Sequence, residues 1–195
     1  MKIIFKIKKL LIRNKIDAYI VPKNDEFFGE YAFPNRLKSV SNFSGSAGFA
    51  ILTKLSNYLF IDGRYLIQSK IESGKNFKII EIPYKYPKHT LNKNIIKRVG
   101  YDPKLFTTSI IDKYFGQNFQ MIPLEKNLVD QIFREKTKKD KPFFKMSEKI
   151  VGETISSKIK RLSEILKKRH CENIFVSAPE NVAWLLNIRG HDNPN

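Results

Sequence analysis

A chain of 195 residues, 42% hydrophobic and 12% aromatic, has enough apolar material for a packed core, which excludes wholesale disorder. One cysteine excludes an internal disulfide, and three histidines with no Cys/His cluster at zinc spacing argue against a metal site, so the chain reads as cytoplasmic. The net charge of +17 is spread along the chain, 23 basic against 12 acidic residues up to Glu135 and 13 against 7 from Lys136, which excludes a concentrated basic arm.

No apolar run approaches the roughly 18 residues of a membrane span. At the start, Lys6, Lys8 and Lys9 interrupt any signal-peptide core, whereas Ile3, Ile7, Leu10 and Leu11 recur at helical spacing and predict an amphipathic first helix over 1–14. Ala18-Tyr19-Ile20-Val21, stopped by Pro22, suits a buried strand. Residues 24–35 show no period and read as a loop. Ser44-Gly45-Ser46-Ala47-Gly48 offers small residues for a tight turn. Residues 49–53 and 58–61 then predict a hairpin. Asp62 stands as the N-cap of a helix over 63–73, with Gly74 after it.

Further strands are expected at 78–82, 98–101 and 119–122, with helices at 90–97, 107–115 and 128–133. Alternating strands and helices predict an α/β domain over 1–134, with a mixed sheet flanked by helices. Residues 135–149 carry the lysines and proline of a linker. Residues 150–195 then repeat the opening order. Ile155, Ile159, Leu162, Ile165 and Leu166 mark an amphipathic helix, 173–178 a strand, and 181–188 an apolar element holding the only Trp. This predicts the truncated start of a second domain of similar build, too short to make a core alone.

The chemistry-bearing residues are sparse. His89, His170 and His191 have no histidine at i+3 or i+4, so no metal site is expected from this chain. The 44–48 stretch lacks the G-x-S-x-G order of a nucleophile elbow and the G-K-[ST] of a phosphate loop. Cys171 follows a basic run but has no placed base. Arg64 opens a helix where a cation opposes the dipole, which reads as a structural ion pair with Asp62 or Glu30 in preference to a cation held at an interface. Arg189, after the Trp184 element, reads equally as structural or as an interface cation.

Taken in order, Asp25-Glu26-Phe27-Phe28-Gly29-Glu30-Tyr31, Arg36, Phe43-Ser44-Gly45-Ser46-Ala47-Gly48 and Asp62-Gly63-Arg64-Tyr65-Leu66-Ile67-Gln68 resemble the first domain of the three-domain Xaa-Pro aminopeptidases (aminopeptidase P). Val99-Gly100-Tyr101-Asp102-Pro103 and Asn127-Leu128-Val129-Asp130-Gln131-Ile132-Phe133 resemble its later segments. Ala183-Trp184-Leu185-Leu186-Asn187-Ile188-Arg189-Gly190, with Asp192 and Asn193-Pro194-Asn195, resembles the start of the second domain. The sequence departs from the family at Phe27, Gly29, Phe133 and His191, where His, Ser, Trp and Ser are common.

The resemblance implies a creatinase/prolidase N-terminal-like fold. It also implies that catalysis, by two divalent metals that are usually manganese, belongs to a C-terminal domain absent from this chain, so no cofactor is expected here. The expected role is that of a non-catalytic N-terminal fragment. It would assemble with, or shield, a separate catalytic-domain chain, or form a homo-oligomer, using Asp25, Arg36, Arg64 and Arg189 as contacts. The alternative is a basic protein that binds nucleic acid or acidic partners. Only eight of the 36 basic residues are Arg, however, whereas base reading draws on Arg and stacked aromatics, so nucleic acid is not the expected partner.

Overall fold

The computed structural model describes residues 2–29, 33–133 and 141–191. The chain divides into two compact units, Met1–Glu135 and Lys136–Asn195. Residues 135–140 of the expected linker, Glu30, Tyr31 and residues 192–195 lie outside the described residues.

In the first unit, helix α1 (Lys2–Arg13) buries Ile7 and Leu11 and feeds strand β1 (Ala18–Pro22), every residue of which is buried. The remaining strands are β2 (Gly48–Thr53), β3 (Asn57–Asp62), β4 (Lys78–Ile82), β5 (Arg98–Tyr101) and β6 (Gln120–Pro123). They form one sheet in the order β4-β3-β2-β1-β5-β6. β2 is antiparallel to both β1 and β3, whereas the β1–β5, β5–β6 and β3–β4 pairs are parallel. The sheet is mixed, as expected, and β2 alone runs against the rest.

Alternation along the strands gives the sheet two apolar faces. Tyr19, Val21, Ala50, Leu52, Leu59 and Ile61 share a cluster with Ile7 and Leu11 of α1. Ala18, Ile20, Phe49, Ile51, Phe60 and Val99 pack on the other side with Ile111 and Phe115 of helix α5 (Thr108–Phe115). Both faces are therefore covered.

Several expectations need correction. Helix α2 (Arg36–Ser41) was not read from the sequence, although Asn35 caps it by accepting from the Lys38 amide and Asn42 ends it at φ +64°. The helix expected at 63–73 begins as a 3₁₀ turn, Gly63–Tyr65, with Asp62 as its cap, and continues as α3 (Leu66–Ser73). The helix expected at 90–97 is instead the short α4 (Pro87–Thr90). Beyond it, the Asn92 side chain accepts from the Asn94 amide and turns the backbone away from helix. Residues 128–133 remain a hydrogen-bonded turn, its amides drawn to the Asn127 side chain and to the Tyr19 hydroxyl.

In the second unit, part of the expected linker is structured. β7 (Phe143–Lys145) pairs antiparallel with β8 (Ile188–Gly190), and α6 (Glu148–Val151) lies between Ser147, its cap, and Gly152 at φ +77°. The partner of β7 lies more than forty positions away, which local pattern cannot reveal. Helix α7 (Ile155–Lys168) is capped by Thr154, and α8 (Pro179–Leu185) carries Trp184. The strand expected at 173–178 is not formed: among the described residues no strand pairs with it, and the Ala178 carbonyl instead accepts from the Asn181 and Val182 amides at the start of α8.

Candidate functional site

Because β2 alone is reversed, its amino end meets the carboxyl ends of the five other strands along one edge of the sheet. The segments that leave this edge are those carrying the family-like strings: the 23–29 loop after β1, the 43–48 loop before β2, the Asp62 turn after β3 and the Asp102 turn after β5. In open α/β sheets ligands bind outside the carboxyl ends of the strands, in the crevice where the strand order reverses.

Its polar residues interlock. Asn24 Nδ2 donates to the Leu105 carbonyl at 3.0 Å, joining the loops after β1 and β5. Ser46 Oγ and the Tyr65 hydroxyl share a hydrogen bond of 2.7 Å. The Ser44 amide and hydroxyl donate to the two Glu72 carboxylate oxygens at 2.8 and 2.7 Å, and Gln68 Nε2 donates to Ser44 Oγ at 2.8 Å. Burial works against the charge on Glu72, but these donors outweigh it and hold the carboxyl below its ordinary value. Gly45 lies where a Cβ would come within 2.3 Å of the Phe43 ring and 2.9 Å of Tyr65, so only glycine fits between these two rings. On the same edge a cleft of about 290 Å³ is lined in part by Phe28, Ser46, Phe49, Phe106 and Tyr114.

The four expected contact residues do not form one cluster. Asp25 Oδ1 accepts from the amides of Phe27 (3.0 Å) and Gly29 (2.8 Å), shaping the loop that exposes Phe27 and Phe28. Arg36 is only 5% exposed. Its Nε and Nη2 bind the two Asp130 oxygens at 2.8 and 2.9 Å, and Nη2 also reaches Glu26 at 3.0 Å, so its bonds are internal to the first unit. Arg64 pairs with Asp62 at 3.0 Å and stands 5.4 Å over the Tyr65 ring, with its side chain largely in solvent. That hydrogen bond holds the Asp62 carboxyl below its ordinary value. Arg189 lies in the second unit, half-buried, donating to the Ile188 carbonyl.

Residues missed by sequence reading include Asp102, Asn127 and Tyr19. Asp102 Oδ1 caps the Pro103–Leu105 turn, Oδ2 accepts from Asn127, and the buried Tyr19 hydroxyl accepts from the Leu128 amide. Burial pushes the Tyr19 phenol well above its ordinary pKa. Asp102, placed just after β5, offered the only sequence signal, whereas Tyr19 lies inside β1 and Asn127 well beyond β6.

Asp25, Asp62, Glu72, Asp102 and Asp130 each accept internal hydrogen bonds. Among the described residues no group of three or more His, Cys, Asp or Glu is placed to hold a metal ion. Among those residues, too, no helix is long and apolar enough to cross a membrane.

Family models described as the creatinase/prolidase N-terminal domain match residues 4–132 and, separately, 134–195. A probable Xaa-Pro aminopeptidase P of Laccaria bicolor is 32% identical over 96% of this chain and 31% of its own length. An X-prolyl aminopeptidase structure from Caenorhabditis elegans, described as a cytosolic enzyme with a di-nuclear active site, matches with TM-score 0.78 and 26% identity. That match covers 99% of this chain and 35% of the other. The N-terminal domain of a cytoplasmic peptidase from Mycobacterium tuberculosis shares the fold alone, with TM-score 0.53 and 17% identity over 67% of this chain and 97% of its own. The chain spans about a third of the length of the curated relatives it matches. A sheet of this order, motif loops gathered on its carboxyl edge and a family match over most of the sequence together place the chain in the creatinase/prolidase N-terminal domain family.

Proposed function

We propose that this chain acts as the non-catalytic N-terminal region of an Xaa-Pro aminopeptidase-like cytoplasmic protein. It works beside a metallopeptidase module carried elsewhere, with the carboxyl edge of its sheet turned toward that module. The observation that carries this reading is the convergence of the motif loops on one edge, where the acidic side chains are spent on loop structure and the aromatic ones, Phe27 and Phe28, are left outward. Such an edge offers a firm contact surface, and among the described residues no group of three or more His, Cys, Asp or Glu is placed there to hold a metal that would activate water.

The test is peptidase assay of the purified chain with Mn²⁺ and an Xaa-Pro peptide, alone and with a polypeptide carrying the metal-binding domain. The expected outcome is no release of the first residue by the chain alone, and an altered KM for the catalytic polypeptide when the chain is added. Substituting Phe27→Glu should weaken that effect. Mn-dependent release by the chain alone would overturn the non-catalytic reading, and an unaltered KM with no complex formed would overturn the assembly.

A further inference from the structure

The outer surface of α1 has a composition of its own. Residues 2–16 hold six basic side chains, Lys2, Lys6, Lys8, Lys9, Arg13 and Lys15, and no acidic one. Among the described residues no carboxylate pairs with any of the six. The next acidic residue in the chain, Asp17, is already bonded to Lys54 and to the amides of Lys97 and Arg98.

The helix commits Ile7 and Leu11 to the core, with Ile3, Ile4 and Leu10 packed beside them. Its exposed residues form a stripe on the opposite side, in two interleaved series, Lys2-Phe5-Lys9-Ile12 and Lys2-Lys6-Lys9-Arg13, each stepping by three or four positions. Phe5 is 61% exposed and Ile12 67%. They lie two turns, or about 10 Å, apart along the helix. Between them the Lys9 ammonium stands 4.7 Å from the centre of the Phe5 ring. The stripe therefore sets two large apolar side chains among four cations.

We propose that this stripe docks the chain on an anionic lipid surface. Charge selects the sign of the partner: a second copy would set the same cations against each other, whereas a layer of acidic headgroups complements all of them. The apolar pair selects among anionic partners. A nucleic acid offers phosphates to the lysines, but it has no apolar layer to receive Ile12, and Arg13 is the one guanidinium in the stripe that could fork to a base edge. A bilayer serves both kinds of side chain. Phe5 and Ile12 enter the acyl boundary, and the flexible lysine stems let their ammonium groups reach back to the headgroups. Each cation brought to such a surface strengthens binding about fivefold, and the apolar pair adds an attraction that salt does not screen. Because Ile7 and Leu11 stay in the core, the contact is shallow and reversible.

The test is co-sedimentation of the 195-residue chain with vesicles of phosphatidylcholine and phosphatidylserine at about 7:3, against vesicles of phosphatidylcholine alone. The expected result is binding to the anionic vesicles only, weakening as salt rises. Phe5→Ser with Ile12→Ser changes two exposed side chains, so thermal unfolding should be unaltered while binding falls about tenfold. Lys6→Gln with Lys9→Gln should lower it by about tenfold or more. The comparison is Lys93→Gln with Lys113→Gln, which removes equal charge from exposed lysines on the α5 side of the sheet and should lower binding by less than about threefold. Equal losses in the two lysine pairs would show that net charge and not the stripe holds the chain, and would overturn the proposal. So would failure of the unaltered chain to bind the anionic vesicles. A short RNA duplex that displaces the vesicles, and whose own binding is indifferent to Phe5→Ser with Ile12→Ser, would overturn it in favour of a nucleic acid.

Discussion

Arg36 and Asp130 lie 94 positions apart, and their paired hydrogen bonds tie the 127–133 turn to the start of α2. Burial disfavours the guanidinium charge, but Asp130 and Glu26 more than restore it, so its pKa rises further above the usual range. Removing the cation loses both ends of a two-point contact. Arg36→Ala should cost about 2–4 kcal/mol, read as a lower urea midpoint at unchanged slope. Arg36→Lys should recover less than half of the loss, because an ammonium cannot form the planar fork. A loss in Arg36→Ala within the scatter of surface substitutions would show the pair to be incidental. Asp17 gives the pH counterpart. Burial pushes its carboxyl up, but the amides of Arg98 and Lys97 and the Lys54 ammonium together hold it below its ordinary value of 3.8. A depressed folded pKa means that this contribution is present above the unfolded value and is lost as pH falls through the folded one. Asp17→Asn should therefore destabilise the chain by about 1–2 kcal/mol at pH 7, and the difference from wild type should shrink steadily below about pH 4. Denaturant titrations at several pH values measure it, and a gap unchanged into strong acid would contradict the assignment.

Gly48 begins β2 at φ +150°, and a Cβ there would lie 2.7 Å from the Phe60 carbonyl of β3. Gly48→Ala should destabilise the first unit by about 2 kcal/mol or more, since backbone cannot give way as a side chain can. Thermal unfolding reads it, with Ala50→Gly as a comparison that removes only a methyl group. Such close approaches mark what could and could not be read in advance. β1, β4 and β5 fall where their apolar runs stop at Pro22, at Pro83 and before Asp102-Pro103, because proline breaks pairing visibly in the sequence. α2 was illegible because Arg36, Lys38 and two serines mask its six residues, although Leu37 and Val40 are buried. The motif strings were legible one by one, but their meeting on one edge depends on the order β4-β3-β2-β1-β5-β6, which is set by pairings between distant segments. For the same reason the bonds of Arg36 to Asp130, 94 positions away, could not be read from the sequence.

The two units differ most in what they bury. Met1–Glu135 closes two apolar layers over its sheet, and its fully buried side chains include Tyr19, Phe43, Phe60 and Phe115. Lys136–Asn195 is organised around Lys158, whose Nζ donates to the Trp184 carbonyl and to Asn187 Oδ1 at 2.7 Å each and lies 4.1 Å from the centre of the indole ring. A cation held by two neutral acceptors and a ring face fixes geometry, but it yields little of the area-proportional stabilisation that a buried apolar cluster supplies. An isolated helix of the 14 residues of α7 is itself marginal in water. Expressed separately, residues 1–135 should therefore unfold in one cooperative transition with a heat-capacity step, and residues 136–195 should show partial helicity that melts broadly with no near-ultraviolet dichroism. Differential scanning calorimetry and circular dichroism on the two fragments distinguish these outcomes. A sharp transition in the 136–195 fragment would mean that the Lys158 contacts suffice to fold it. A broad one would mean that its exposed Ile159, Ile174 and Phe175 contribute to stability only when further strands cover them.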